Sequence, residues 1–98
     1  MSAEPAEEPL AALSRCRMEI EDLDRRLVSL LADRVTLGLE TARLKRAAGL
    51  PILDPQREAE VIRRSAETAR QYNLPEEEVR GIFWHIVGLA RRAQQGDE

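Results

Sequence analysis

The sequence predicts an all-α fold of three helices, one of them very long. Three observations carry this reading. Ala, Leu, Glu and Arg, all strong helix formers, dominate a 98-residue chain in which aromatic residues amount to 3%. No run of strict apolar–polar alternation persists, so no strand is expected. Prolines and a loop glycine cut the chain into three stretches of helical spacing.

The elements follow in order. Residues 1–8 carry Pro5 and several acids and read as a flexible acidic tail. From about Pro9 to Ala48 there is no further proline, and only Gly38 interrupts a helical pattern. Gly49-Leu50-Pro51 ends it, with Gly49 placed as the residue just past the helix C-terminus. Asp54-Pro55 reads as an N-cap followed by proline in the first helical position, opening a second helix to about Tyr72. Asn73-Leu74-Pro75 breaks the chain again. Glu76, Glu77 and Glu78 then put negative charge in the first turn of a third helix, where the helix dipole favours it. The helical domain is expected over 9–95, with 96–98 fraying.

The first helix sets the architecture. Leu13, Cys16, Ile20, Leu23, Leu27, Leu30, Arg34, Leu37, Thr41, Leu44 and Ala48 alternate steps of three and four, a heptad seam interrupted by Arg34 and Thr41. A helix of about 40 residues is roughly 60 Å long, whereas a compact domain of about 100 residues has a radius of gyration near 13 Å. The remaining residues cannot wrap such a rod, so the expected assembly is an intertwined homodimer with twofold symmetry. The third helix carries a cleaner stripe of Val79, Ile82, Phe83, Ile86, Val87, Ala90 and Gln94. The second is less apolar, and its inward line runs Glu58, Val61, Ile62, Ser65, Ala69 and Tyr72.

Composition excludes several functions. A net charge of −3 with few aromatics gives no footprint for nucleic acid. No apolar run approaches the roughly 20 residues of a membrane span. The acidic amino terminus has no apolar core, so no secretory signal is expected and the cytoplasm is the default location. One cysteine, Cys16, and one histidine, His85, supply neither a disulfide nor a zinc site. Cys16 reads as seam packing, His85 as structural, and Trp84 as packing at an interhelix or dimer contact.

Polar residues at apolar positions draw attention, because local rules break most often at functional sites. Arg34 interrupts the seam, Gln94 ends the third stripe, and Glu58 heads the second. Lys45 follows Arg34 by about three turns and lies on nearly the same face. Arg17 lies about 100° round the helix from Arg34 and some 25 Å along it, so it could join the same site only from the other subunit. Each residue also has an ordinary reading. Arg34 could set coiled-coil register or snorkel, Lys45 and Glu58 could complement helix ends, Arg17 could be solvated, and Gln94 could mark the stripe's exit to water.

Taken together, Arg17-x-x-Ile20-x-x-Leu23-Asp24, Leu30-Leu31-Ala32-x-Arg34, Lys45, Pro51-x-x-Asp54-x-x-Arg57-Glu58 and Gln94 resemble the all-helical class of chorismate mutases. The similarity runs from about Leu10 to Gln94, and the Pro-x-x-Asp-x-x-Arg-Glu segment is its most specific part. The resemblance implies an intertwined three-helix homodimer whose two sites each borrow an arginine. It implies that Arg34 and the partner chain's Arg17 clamp the two carboxylates of chorismate. Lys45 and Gln94 would contact the ether oxygen of the breaking bond. Glu58, with the backbone near Asp54, would hold the ring hydroxyl, and Arg57 would organise the polar wall. Ala90 departs from the pattern, since relatives often carry a serine there that contacts a substrate carboxylate, and Gly88 departs as well. The implied reaction, chorismate to prephenate in aromatic amino acid biosynthesis, needs neither metal nor cofactor. Rival readings on the same fold are an isochorismate–pyruvate lyase and a 4-amino-4-deoxychorismate mutase. A rival of another class is a non-catalytic helical dimerisation or regulatory module, and the small size also leaves room for docking on another enzyme of the pathway.

Overall fold

The computed structural model describes residues 7–96. It contains helices α1 (Pro9–Ala47), α2 (Pro55–Gln71) and α3 (Glu76–Gly96), and no strand among the described residues. Most of the expected N-terminal tail, and residues 97 and 98 of the expected C-terminal fray, lie outside the described residues. Contacts divide the chain into two units, residues 1–32 and 33–98, with α1 running through both.

In the first unit, α1 begins at a proline, whose fixed φ and missing N–H suit the first helical turn. Arg15 ties this start together by pairing with Glu7 and with Glu19 one turn on. The apolar side chains here are open. Leu13, Ile20, Leu23, Leu27 and Leu30 are all exposed, as is Cys16.

In the second unit the ends of α1 and α2 obey the same chemistry. Gly49 adopts a left-handed φ of 71°, and the N–H groups of Gly49 and Leu50 return to the carbonyls of Arg46 and Lys45 at 3.1 and 2.8 Å. This is a Schellman closure, which satisfies carbonyls that the helix leaves open. Asn73, with φ of 58°, closes α2 in the same way, its N–H and that of Leu74 reaching Arg70 and Ala69 at 3.2 and 2.9 Å. Asparagine tolerates this left-handed conformation because its short polar side chain can hydrogen-bond locally. At the start of α2, the Asp54 carboxylate accepts the Arg57 N–H at 3.1 Å and Pro55 holds the first helical position.

The core is small. Ile62, Ser65, Ala66 and Ala69 of α2, Val87 of α3 and Ala42 of α1 are buried, and α2 packs against α3. The Ser65 hydroxyl is satisfied inside this core by donating to the Ile62 carbonyl at 2.6 Å. Two expected inward residues point elsewhere. Tyr72 is 72% exposed because α2 ends at Gln71, leaving Tyr72 as the capping residue beyond the last turn. Ile82 is 56% exposed, at the margin of a stripe centred on Val87, while Ala66 takes the inward place that the sequence reading omitted. His85, which lies off the apolar stripe, is exposed. Trp84, 64% exposed, borders a groove with Leu53, Pro55, Ala59 and Ile62.

The inner face of the α1 segment in this unit is not the heptad seam. Val35, Gly38, Ala42 and Lys45 are shielded, while Leu37 and Leu44 on the adjacent line are 67% and 52% exposed. Two parallel lines one residue apart share this segment, and on the seam Leu37, Thr41 and Leu44 are exposed while Arg34 is half-buried.

Candidate active site

A cavity of about 270 Å³ opens among the three helices of the second unit. From α1 it is lined by Arg34, Leu37, Gly38, Thr41 and Lys45, and from the α1–α2 connection by Ile52 and Asp54. Arg57, Glu58 and Val61 of α2 form one wall, and Val87, Ala90, Arg91 and Gln94 of α3 another. Seven of the eight residues singled out in the sequence therefore meet: Arg34, Lys45, Asp54, Arg57, Glu58, Ala90 and Gln94. Arg17 is exposed in the first unit and is not a lining residue.

Two neutral backbone carbonyls fix the donors. The Lys45 ammonium, half-buried, donates to the Ile52 carbonyl at 3.1 Å, which leaves two further N–H bonds for a ligand. The Gln94 amide Nε2 donates to the Gly38 carbonyl at 3.0 Å and keeps its second hydrogen. Gly38 faces α3 at this point. A Cβ there would lie 3.5 Å from Gln94 Nε2 and 3.9 Å from the Ala90 Cβ, so a methyl group would fit at contact distance but take space in the cavity. Thr41 is internally satisfied, its hydroxyl donating to the Leu37 carbonyl at 2.9 Å.

Arg34 is half-buried and, among the described residues, its guanidinium has no hydrogen-bond or ion-pair partner. A partly desolvated guanidinium without a counter-ion attracts a carboxylate, which it can grip through two parallel N–H bonds. Arg57 is held lightly, its guanidinium 3.6 Å from Glu60, and its main-chain N–H belongs to the Asp54 cap. Four cations (Arg34, Lys45, Arg57 and Arg91) and two carboxylates (Asp54 and Glu58) line the cavity, an excess of positive charge suited to a dianion.

The residue that sequence reasoning missed is Arg91. Its Nε and Nη2 donate to the two Glu58 oxygens at 3.1 and 2.5 Å. This bidentate hydrogen bonding, together with the Coulomb attraction, raises the Arg91 guanidinium above its ordinary range. A signal was present. Arg91 lies four residues after Val87 and three before Gln94, on the face that reaches the cavity, but an arginine near the end of a helix reads most simply as solvated.

An all-helical scaffold around a cavity of excess positive charge, with oriented neutral and charged donors, is of the kind suited to a small anion. The family model for chorismate mutase type II matches residues 16–95, and the chain belongs to that family. A chorismate mutase of Methanocaldococcus jannaschii is 31% identical over 64 residues, covering 65% of each chain. A T-protein of Enterobacter agglomerans is 30% identical over 78 residues, 80% of this chain and 21% of that protein. A 4-amino-4-deoxychorismate mutase of Streptomyces venezuelae is 36% identical over 75 residues, 76% of this chain and 73% of that one. The chain thus spans 65% and 21% of the lengths of the first two relatives. Among the described residues no helix is long and apolar enough to cross a membrane.

Proposed function

We propose that this chain catalyses the rearrangement of chorismate to prephenate, acting as a homodimer. The reading rests above all on one observation: Arg34, Lys45, Glu58 and Gln94, distant in sequence, line a single cavity. The reaction is a [3,3] shift within one molecule. An ether C–O bond breaks as a C–C bond forms, and no proton, electron or leaving group departs. Catalysis therefore reduces to holding the folded, chair-like conformer and stabilising charge as the ether oxygen becomes negative.

Each residue has work suited to its chemistry. Arg34 grips one carboxylate, and Arg17 of the partner chain grips the other, so that the diacid is held folded. Lys45 and Gln94, already oriented by the Ile52 and Gly38 carbonyls, present their remaining N–H bonds to the ether oxygen. Glu58 accepts from the ring hydroxyl, and Asp54 and Arg57 shape the wall beside it. The open apolar line on α1, with Leu23, Leu27, Leu30, Leu37 and Leu44 each at least half exposed, supports pairing with a second copy.

The test is incubation of the purified protein with chorismate and, separately, with isochorismate, with products followed by chromatography. The expected result is prephenate from chorismate without added cofactor. Pyruvate from isochorismate with no prephenate from chorismate would replace this reading with the lyase.

A further inference from the structure

We propose that Arg91 sets the substrate selectivity of the site, by neutralising Glu58 so that this wall accepts a neutral ring hydroxyl in preference to an ammonium group. The inference rests on the function proposed above and concerns the ligand substituent that meets Glu58. A family whose relatives include both a chorismate mutase and a 4-amino-4-deoxychorismate mutase leaves that substituent open.

The geometry supplies the argument. An isolated carboxylate facing a cavity is a counter-ion and favours a cationic amine. Glu58 is not isolated, because both of its oxygens accept N–H bonds from one guanidinium. Its side chain is only 26% exposed and that of Arg91 39%, so solvent screens the pair incompletely. Each Glu58 oxygen retains a lone pair that can accept from a hydroxyl. An ammonium in the same place meets the Arg91 charge a few ångströms beyond the carboxylate that attracts it. Lys45, Arg34 and Arg57 line the same cavity and add to that repulsion, with Asp54 the only other acid in the lining. The selection is thus a penalty against the wrong substituent as much as a bond to the right one.

The experiment compares kcat/KM for chorismate and for 4-amino-4-deoxychorismate in the wild type, Arg91→Gln and Arg91→Lys, with helical circular dichroism checking the fold of each. The wild type is expected to prefer chorismate. In Arg91→Gln the ratio should move toward the amino compound by about tenfold or more, whereas Arg91→Lys, which keeps the charge, should retain the wild-type preference. A merely structural arginine would lower both substrates together. A wild type active on chorismate whose Arg91→Gln ratio stays within about twofold contradicts the Arg91 assignment alone. A wild type that converts neither compound contradicts the proposed function and the selectivity with it.

Discussion

Lys45 and Gln94 share a device: each spends one N–H on a backbone carbonyl and keeps the remainder for the cavity. The tether fixes direction, and a preorganised donor stabilises developing charge without reorganising during the reaction. Lys45→Ala and Gln94→Ala should each lower kcat by about a hundredfold or more, some 3–4 kcal/mol of barrier, in a steady-state assay of chorismate loss. Were the chain a silent dimerisation module, there would be no chorismate turnover for either substitution to lower, and the lost hydrogen bonds to Ile52 and Gly38 would register only in stability. Gln94→Glu separates donation from shape. A carboxyl donates only when protonated, so the activity of this variant should rise as pH falls toward the ordinary glutamate range, near 4.3, while the wild type shows no such rise. At this scale three polar residues that broke an apolar line, Arg34, Glu58 and Gln94, are among those that line the cavity, as is Thr41, to which the sequence reading gave no role. It was silent on Arg91, because the partner that gives this arginine its meaning lies 33 residues away on another helix.

The helix ends were legible because their chemistry is local. Asp54-Pro55 and Gly49 announce a start and a stop within two or three residues, and both stand where expected. Asn73 was read only as part of a break, since asparagine serves turns, caps and left-handed positions alike and only the closed hydrogen bonds distinguish them. The misplacements of Tyr72 and Ile82, and the second line on α1, share one cause: spacing identifies the faces of a helix, not which face a neighbour covers. Replacing Asp54 by Ala removes a cap at the edge of the cavity and should cost about 1 kcal/mol of stability in urea unfolding. The turn between α2 and α3 is also strapped by an ion pair, Arg70 to Glu76 at 2.6 Å. Its hydrogen bond holds the Glu76 carboxyl below its ordinary value and raises Arg70. A depressed acid contributes stability that is present above the ordinary carboxylate range and lost as pH falls through the lowered folded-state value. Comparing unfolding midpoints of wild type and Glu76→Gln across acid pH should show a wild-type advantage near neutrality that disappears in that window.

For the whole molecule, the decisive feature is the apolar line of α1 that the single chain leaves open. Leu27 and Leu30 are 59% and 63% exposed, at spacing suited to a partner helix. Light scattering should report a dimer, and Leu27→Glu, which places a charge in that line, should shift the protein toward a monomer with lost activity, since each site would lack its borrowed arginine. A stable wild-type monomer would overturn both the pairing and the shared site.

The most direct measurement mixes two inactive homodimers. Arg17→Ala and Lys45→Ala proteins are each expected to be nearly inert on chorismate. After subunit exchange, with heterodimers verified by mass spectrometry, chorismate turnover should reappear, because one of the two sites then holds both residues intact. Verified heterodimers that stay as inactive as their parents would contradict a site built from two chains.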